Sequence, residues 1–403
     1  MIIVVTLFIL ILSIFAFVIG KPILSIFLIL LASSRSIDGY LIIGGIGIIL
    51  TLQCLYISFF KKDKTIWLIS TLLICYQLAV LIVLPYKIYF SYYFSYINAL
   101  LMFFATFFIE WDREKIKNFI LLFMAVLIIC GISELIIINP RRISEPYHFA
   151  TLYAVVLVSI WTIWLSDAII TNDYFMVAVV TFFVFLMVLL SGTRMGLLGM
   201  ALGLSLSGIS KILFGNLKKK ILAKIFSGVI LLMFLSILIF IVWQIIPEDL
   251  LIKKSFASIL SMKLDKSNLG RVVAWITAID IIPKHALWGV GYGNFNNYVQ
   301  KFLQEHAGQA NFFLPHAHNL FLIVLSEQGV IGFVVIGLTV FLCVYKLFYN
   351  ALKGSQNSMV YAIMNGFIVM MFMGLFDATP LTLGTLCFGG WFMGLSAKIS
   401  TLK

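Results

Sequence analysis

Apolar runs of about twenty residues follow one another along almost the whole chain, and this recurrence limits the fold more than any other feature. A spanning α-helix needs roughly 20 apolar residues to cross the hydrocarbon of a bilayer. With 63% of its 403 residues hydrophobic and 11% charged, the chain has too little polar surface to cover a soluble core of this size. An outer-membrane barrel would show short alternating strands, and none are visible. The expected class is an all-α polytopic membrane protein. The first apolar run has no cleavage motif behind it and leads into further spans, so it reads as structure rather than as a removed signal.

Residues 1–32 are apolar but interrupted by Gly20-Lys21-Pro22, as one broken helix or two short ones. Spans are then expected near 40–60, 66–84, 90–109, 118–138, 148–166, 174–190, 195–214 and 223–246, and again near 327–349, 359–376 and 381–397. The total is about 12 transmembrane helices, or about 13 with a divided first segment. The organisation follows: N-terminal transmembrane helices over 1–246, one large periplasmic loop with short helices over 247–317, and C-terminal transmembrane helices over 318–403.

The net charge of +12 raises the question of a nucleic-acid partner. A membrane accounts for it better, because lysine gathers beside anionic lipid on the cytoplasmic side. The clusters Lys61, Lys62 and Lys64; Lys115 and Lys117; Lys211 to Lys224; Lys346 and Lys353; and Lys398 and Lys403 all fall on one side of these spans. That side is cytoplasmic by the positive-inside rule, which puts 247–317 outside. Cys54, Cys75, Cys130, Cys343 and Cys387 lie scattered in apolar runs without metal-ligand spacing, so core packing is their expected role.

The arginines sort the other way. Only Arg113 lies on the lysine-rich side, whereas Arg35, Arg141, Arg142, Arg194 and Arg271 lie outside, together with His148, His285, His306, His316 and His318. Topology alone would draw arginine inward, so an outward excess asks for another reason. Binding an anion is the natural one, since the planar guanidinium grips phosphate with two prongs. The competing reading is chance or contact with lipid headgroups.

Most of the polar chemistry concentrates in one stretch, Gly289 to Gly332. Gly289-Val290-Gly291-Tyr292-Gly293 follows no strand, so a nucleotide-binding loop is a weak reading and a turn with close backbone approach a better one. His318, just before an apolar helix, could take a proton from a sugar hydroxyl near neutral pH. The alternatives are a hydrogen-bonded interfacial histidine, or zinc held with His316, although no partner stands at i+4 from either. Glu327 follows about two and a half turns later and points elsewhere unless the helix bends. Asp377 is a weaker candidate. Arg194 sits beyond Gly192, which permits a tight turn placing it at the start of the next helix; a snorkelling anchor is the plainer alternative. Arg271 opens an expected helix over 270–279 whose face Val272, Trp275, Ile276 and Ile279 would lie along the membrane surface, ending at Pro283. The scattered acids of the insertion form no Asp-x-Asp pair, which favours a metal-free mechanism.

These residues resemble a known family. His318-Asn319, nine residues, then Gly329-Val330-Ile331-Gly332 matches the His-[Asn/Ser/Gln]-x9-Gly-x-x-[Gly/Thr/Tyr] pattern of O-antigen ligases. Gly289 to Phe295 and Ser191-Gly192-Thr193-Arg194 look like the wider O-antigen ligase and polymerase superfamily, most strongly over about 190–335. The resemblance implies a metal-independent, multi-spanning (GT-C type) glycosyltransferase of the bacterial inner membrane, with its site facing the periplasm and no cofactor. It implies transfer of a glycan from undecaprenyl diphosphate to lipid A–core by a ligase, or to the next repeat unit by a polymerase. By the same resemblance, Arg194 and Arg271 would bind the diphosphate and His318 would serve as base. Arg141, Arg142, His316, Asn319 and Glu327 are further substrate-binding candidates. A lipid-linked sugar transporter should instead show internal repeats and mid-membrane charges, and an assembly protein would leave the outward arginines unexplained.

Overall fold

The computed structural model describes residues 11–16, 21–33, 75–77, 79–80, 82–83, 90–137, 150–214, 266–307, 314–376 and 386–399. Among them the regular structure is all helical, with no strand. The spans expected near 40–60 and 223–246 and most of that near 66–84 lie outside the described residues, as do Arg35, Arg141, Arg142, His148 and Asp377. The helices are α1 (Pro22–Ser33), α2 (Phe90–Phe108), α3 (Arg113–Ile137), α4 (Ala150–Ile170), α5 (Tyr174–Ser191), α6 (Arg194–Phe214), α7 (Lys266–Lys284), α8 (Phe295–Ala307), α9 (Leu320–Leu352), α10 (Ser358–Gly374) and α11 (Leu386–Ile399).

Five of these helices, α3, α4, α5, α6 and α9, are long and apolar enough to cross a membrane. Shorter apolar helices cover Ser95–Phe108, Ser358–Gly374 and Leu386–Ile399. The N-terminal segment is not one continuous helix. Ser13 Oγ lies 2.9 Å from Ser25 Oγ, whereas twelve residues of unbroken helix would separate them by about 18 Å. The two described stretches, 11–16 and 21–33, therefore lie side by side.

The chain divides into two compact units. The first comprises Met1–Phe119, Leu264–Tyr349 and Met370–Lys403; the second comprises Ile120–Lys263 and Asn350–Val369. In the first, α11 packs closely on α2. A Cβ on Gly390 would overlap the Ala99 carbonyl, and one on Gly394 would meet the Phe103 carbonyl oxygen at 2.5 Å. Small residues at these crossings let backbones approach, the usual basis of helix packing in lipid.

In the second unit α4 is the central helix, with all but Ala150, Thr151 and Ile169 buried, as expected of a helix apolar on every side. Several of its polar groups are satisfied internally, although Ser159 Oγ and Trp164 Nε1 have no partner among the described residues. Thr162 Oγ1 donates back to the Val158 carbonyl (2.8 Å), and Ser166 Oγ pairs with Ser207 Oγ at 2.7 Å. Asn365 Nδ2 donates to Ser166 Oγ (3.0 Å) and Ser210 Oγ (2.9 Å), and Ser358 Oγ donates to Asp167 Oδ1. At the far end of α4, Lys211 Nζ donates to the Ile170 carbonyl and to Asn172 Oδ1, both at 2.7 Å, so a lysine closes the unpaired end of the helix.

Candidate functional site

In the first unit the glycine loop and α9 form one structure. α9 starts at Leu320 rather than near 327 because Asn319 caps it: Asn319 Oδ1 accepts the Phe321 and Leu322 N–H groups at 2.9 and 3.1 Å. Its Nδ2 donates to the Leu375 carbonyl at 2.7 Å. Both ends of this amide are therefore engaged in holding the helix, and the motif's polar residue after histidine acts here as a cap.

The helix then breaks at Gly329 (φ 67°, ψ −170°), a conformation essentially confined to glycine. The break frees backbone groups that a straight helix would pair internally, and the loop before α8 takes them up. Val290 N–H donates to the Ser326 carbonyl and Gly291 N–H to the Glu327 carbonyl, both at 2.9 Å; Val330 N–H donates to Ala286 (2.8 Å) and Ile331 N–H to Leu287 (3.2 Å). Four reciprocal bonds thus bracket 286–291 to 326–331. The contact is so close that a Cβ on Gly289 would overlap the Glu327 carbonyl carbon, and one on Gly329 would overlap the Leu287 carbonyl. A Cβ on Gly332 would strike the Tyr76 hydroxyl and Gln328 Cβ. The expected close backbone approach of the glycine loop is the bracket itself.

Polar side chains surround it. The Gln328 amide accepts from Tyr76 and Tyr292 hydroxyls, each at 3.3 Å, and donates to the Tyr96 hydroxyl at 3.0 Å. Gln77 Nε2 donates to Tyr292 at 3.2 Å. Burial holds the Tyr292 phenol well above its ordinary value, so it stays neutral. Sequence reasoning did not single out Gln328, Tyr76 or Tyr96. No local signal separates a tyrosine in an apolar run from packing, and only contacts across 252 and 232 positions reveal the set.

His318 occupies the turn before α9, half-buried and with a positive φ of 46°. Such a backbone costs about 1–3 kcal/mol in a non-glycine residue and persists where surrounding structure enforces it. Its N–H donates to His316 Nδ1 (3.3 Å), and the two rings meet edge to face at 4.3 Å. His316 thus shapes the turn. Ala317, between them, is wholly buried with Phe295, Val299 and Leu314. His306 is bound within its own helix to the Phe302 carbonyl at 2.9 Å, and His285 packs edge-on against Tyr298. Among the described residues no three His, Cys, Asp or Glu side chains cluster as metal ligands.

Arg271 lies within α7, not at its start: the helix begins at Lys266 and runs one residue past Pro283, to Lys284. The exposed apolar face is Leu269, Val272, Ile276 and Ile279, while Trp275 is half-buried with its indole nitrogen unpaired. Ala274, Ala278 and Ile281 make the opposite, buried face. Arg271 is half-buried, and its Nε has no hydrogen-bond partner among the described residues. Glu327 is 1% exposed, with neither carboxylate oxygen hydrogen-bonded. Glu327 precedes the bend at Gly329, and the backbone N–H groups of Gly293 and Phe295 face it.

Arg194 belongs to the second unit. As expected, Gly192 adopts the left-handed conformation (φ 63°, ψ 24°), its N–H returning to the Leu189 carbonyl, and Arg194 opens α6. Ser191 Oγ pairs with Thr193 Oγ1 at 2.8 Å across the turn.

Residues 178–337 match the O-antigen ligase family. The match takes in the Gly192 turn, Arg194, Arg271, the glycine loop, His318 and the Gly329 break, less than half of the chain's 403 residues. It supports the O-antigen ligase and polymerase superfamily to which the motifs are similar. Among curated proteins, none is significantly similar to the chain. In terms of the motif, its two glycines are the break and the Tyr76 contact, its Asn319 is the cap, and its histidine stands in the turn against His316.

Proposed function

We propose that this protein is a membrane glycosyltransferase that moves a glycan from undecaprenyl diphosphate to a sugar hydroxyl at the periplasmic face, as an O-antigen ligase acting on lipid A–core. The observation that carries the reading is His318, an imidazole on a strained turn within the matched region. As general base it would take the acceptor hydroxyl proton while the oxygen attacks the anomeric carbon. The bond from that carbon to the diphosphate breaks, its electron pair leaving with the carrier. Base catalysis of this kind contributes roughly 10²–10⁴ in rate. Arg271 and Arg194 would neutralise the leaving diphosphate, the stronger for partial burial. Arg271 brings an Nε with no hydrogen-bond partner among the described residues. No cofactor or nucleic acid enters this scheme, and no metal is required by it.

The experiment is transfer by the purified protein from a lipid-linked donor to lipid A–core. His318→Ala should abolish transfer while the protein inserts and purifies normally; wild-type activity would remove His318 from the chemistry. The lipopolysaccharide of a deletion strain separates the acceptors. Bare core, with polymer held on the carrier, is expected for a ligase; single repeats on core would point to a polymerase.

A further inference from the structure

Among the described residues neither oxygen of the fully buried Glu327 carboxylate has a hydrogen-bond partner, although an isolated buried charge or polar group is costly. Its surroundings show what it does. The backbone N–H groups of Gly293 and Phe295 face it. Phe295 is the first residue of α8, where unpaired N–H groups and the helix dipole favour an anionic or acceptor group. The next residue, Asn296, reaches the other way: its Oδ1 accepts the Leu314 N–H at 3.0 Å, at the entry to the His316–His318 turn. Phe295, Leu314 and Ala317 share one core cluster with Ile323 and Val324 of α9.

We propose that Glu327 is a positioning residue, holding the first turn of α8 against α9 so that Asn296 and Phe295 fix the turn that presents His318. This rests on the reading of His318 as the base. It also gives the glycine loop a role: its Gly293 N–H faces the protein's own carboxylate rather than a ligand.

The test combines kinetics with peptide-level hydrogen exchange on the full-length protein. Glu327→Leu keeps the volume and loses both acceptors, whereas Glu327→Gln keeps one. Exchange over 314–319 should rise in Glu327→Leu and less in Glu327→Gln. kcat should fall by roughly ten- to hundredfold in Glu327→Leu with little change in donor KM, as expected for a misplaced group, and Glu327→Gln should recover part of it. Asn296→Ala, which leaves the buried carboxylate alone, should loosen the same segment. Unchanged exchange over 314–319 in Glu327→Leu and Asn296→Ala would overturn the proposal, as would a loss of kcat with no change in exchange. His318→Ala run alongside keeps the two readings apart: activity there would sink the base, while the exchange result would still decide the role of Glu327.

Discussion

Gly329→Ala should unseat the bracket between the glycine loop and α9. At φ 67° and ψ −170° an alanine is strained by about 1–3 kcal/mol even in open space. The space is not open: the new Cβ would overlap the Leu287 carbonyl and lie 2.6 Å from the Gly289 nitrogen. These are backbone atoms, so no rotamer change relieves the clash and the two segments must separate. A straightened α9 would regain helical bonds from Val330 to Ser326 and from Ile331 to Glu327. The loop's donors at Val290 and Gly291, and its acceptors at Ala286 and Leu287, would be left unpaired. At about 1 kcal/mol per lost bond, and more where a group stays buried, the net cost is about 2–4 kcal/mol. Gly337→Ala in the same helix is the control. Nothing lies within 4 Å of its Cβ position, so it should be neutral or stabilising by up to about 1 kcal/mol. The assay is the thermal unfolding midpoint of the protein in mild detergent. Gly329→Ala should fall well below wild type and Gly337→Ala should not; equal midpoints would refute the bracket. Gly289→Ala attacks the same contact from the other side. The double variant should therefore lose little more than the worse single one, since contacting sites are not additive.

Arg194→Lys and Arg271→Lys should each lose most transfer activity, because lysine lacks the two-pronged grip; full activity in a lysine variant would reduce that arginine to an anchor. EDTA should leave transfer intact, and inhibition restored by a divalent cation would revive a metal mechanism. Gly390→Ala should lower the unfolding midpoint by forcing α11 away from the Ala99 carbonyl of α2; an unchanged midpoint would mean that the helices separate freely.

Much of the site was legible before the fold. The turn at Gly192, the start of α6 at Arg194, and the need for close approach at Gly289–Gly293 all follow from residues with strong local preferences. Glycine before a helix start and glycine repeated in a polar loop each have few conformational uses. The errors fell where local preference is weak. The apolar pattern starts a helix near Arg271, yet α7 already begins at Lys266 and Gly270 is buried inside it. Trp275 was given to the exposed face because period alone does not say which of two apolar faces meets the core. Asn319, a substrate-binding candidate from the motif, also caps α9, which is why α9 begins earlier than its hydropathy suggests.

From its sequence alone, this chain was bound to be helical and membrane-spanning, because apolar runs of that length have no other stable solution and local backbone pairing within each run satisfies lipid. The turn residues and the histidine motif were equally local. What only tertiary structure decided was the partner of each freed backbone group. Gly329 permits a break in α9, but the break becomes a site only because 286–291 lies against it and supplies four hydrogen bonds. Likewise, Glu327 lies under the loop and facing α8 because distant segments meet there. Pairings between segments about 40 residues apart in the chain leave no period or spacing to detect in either segment taken separately.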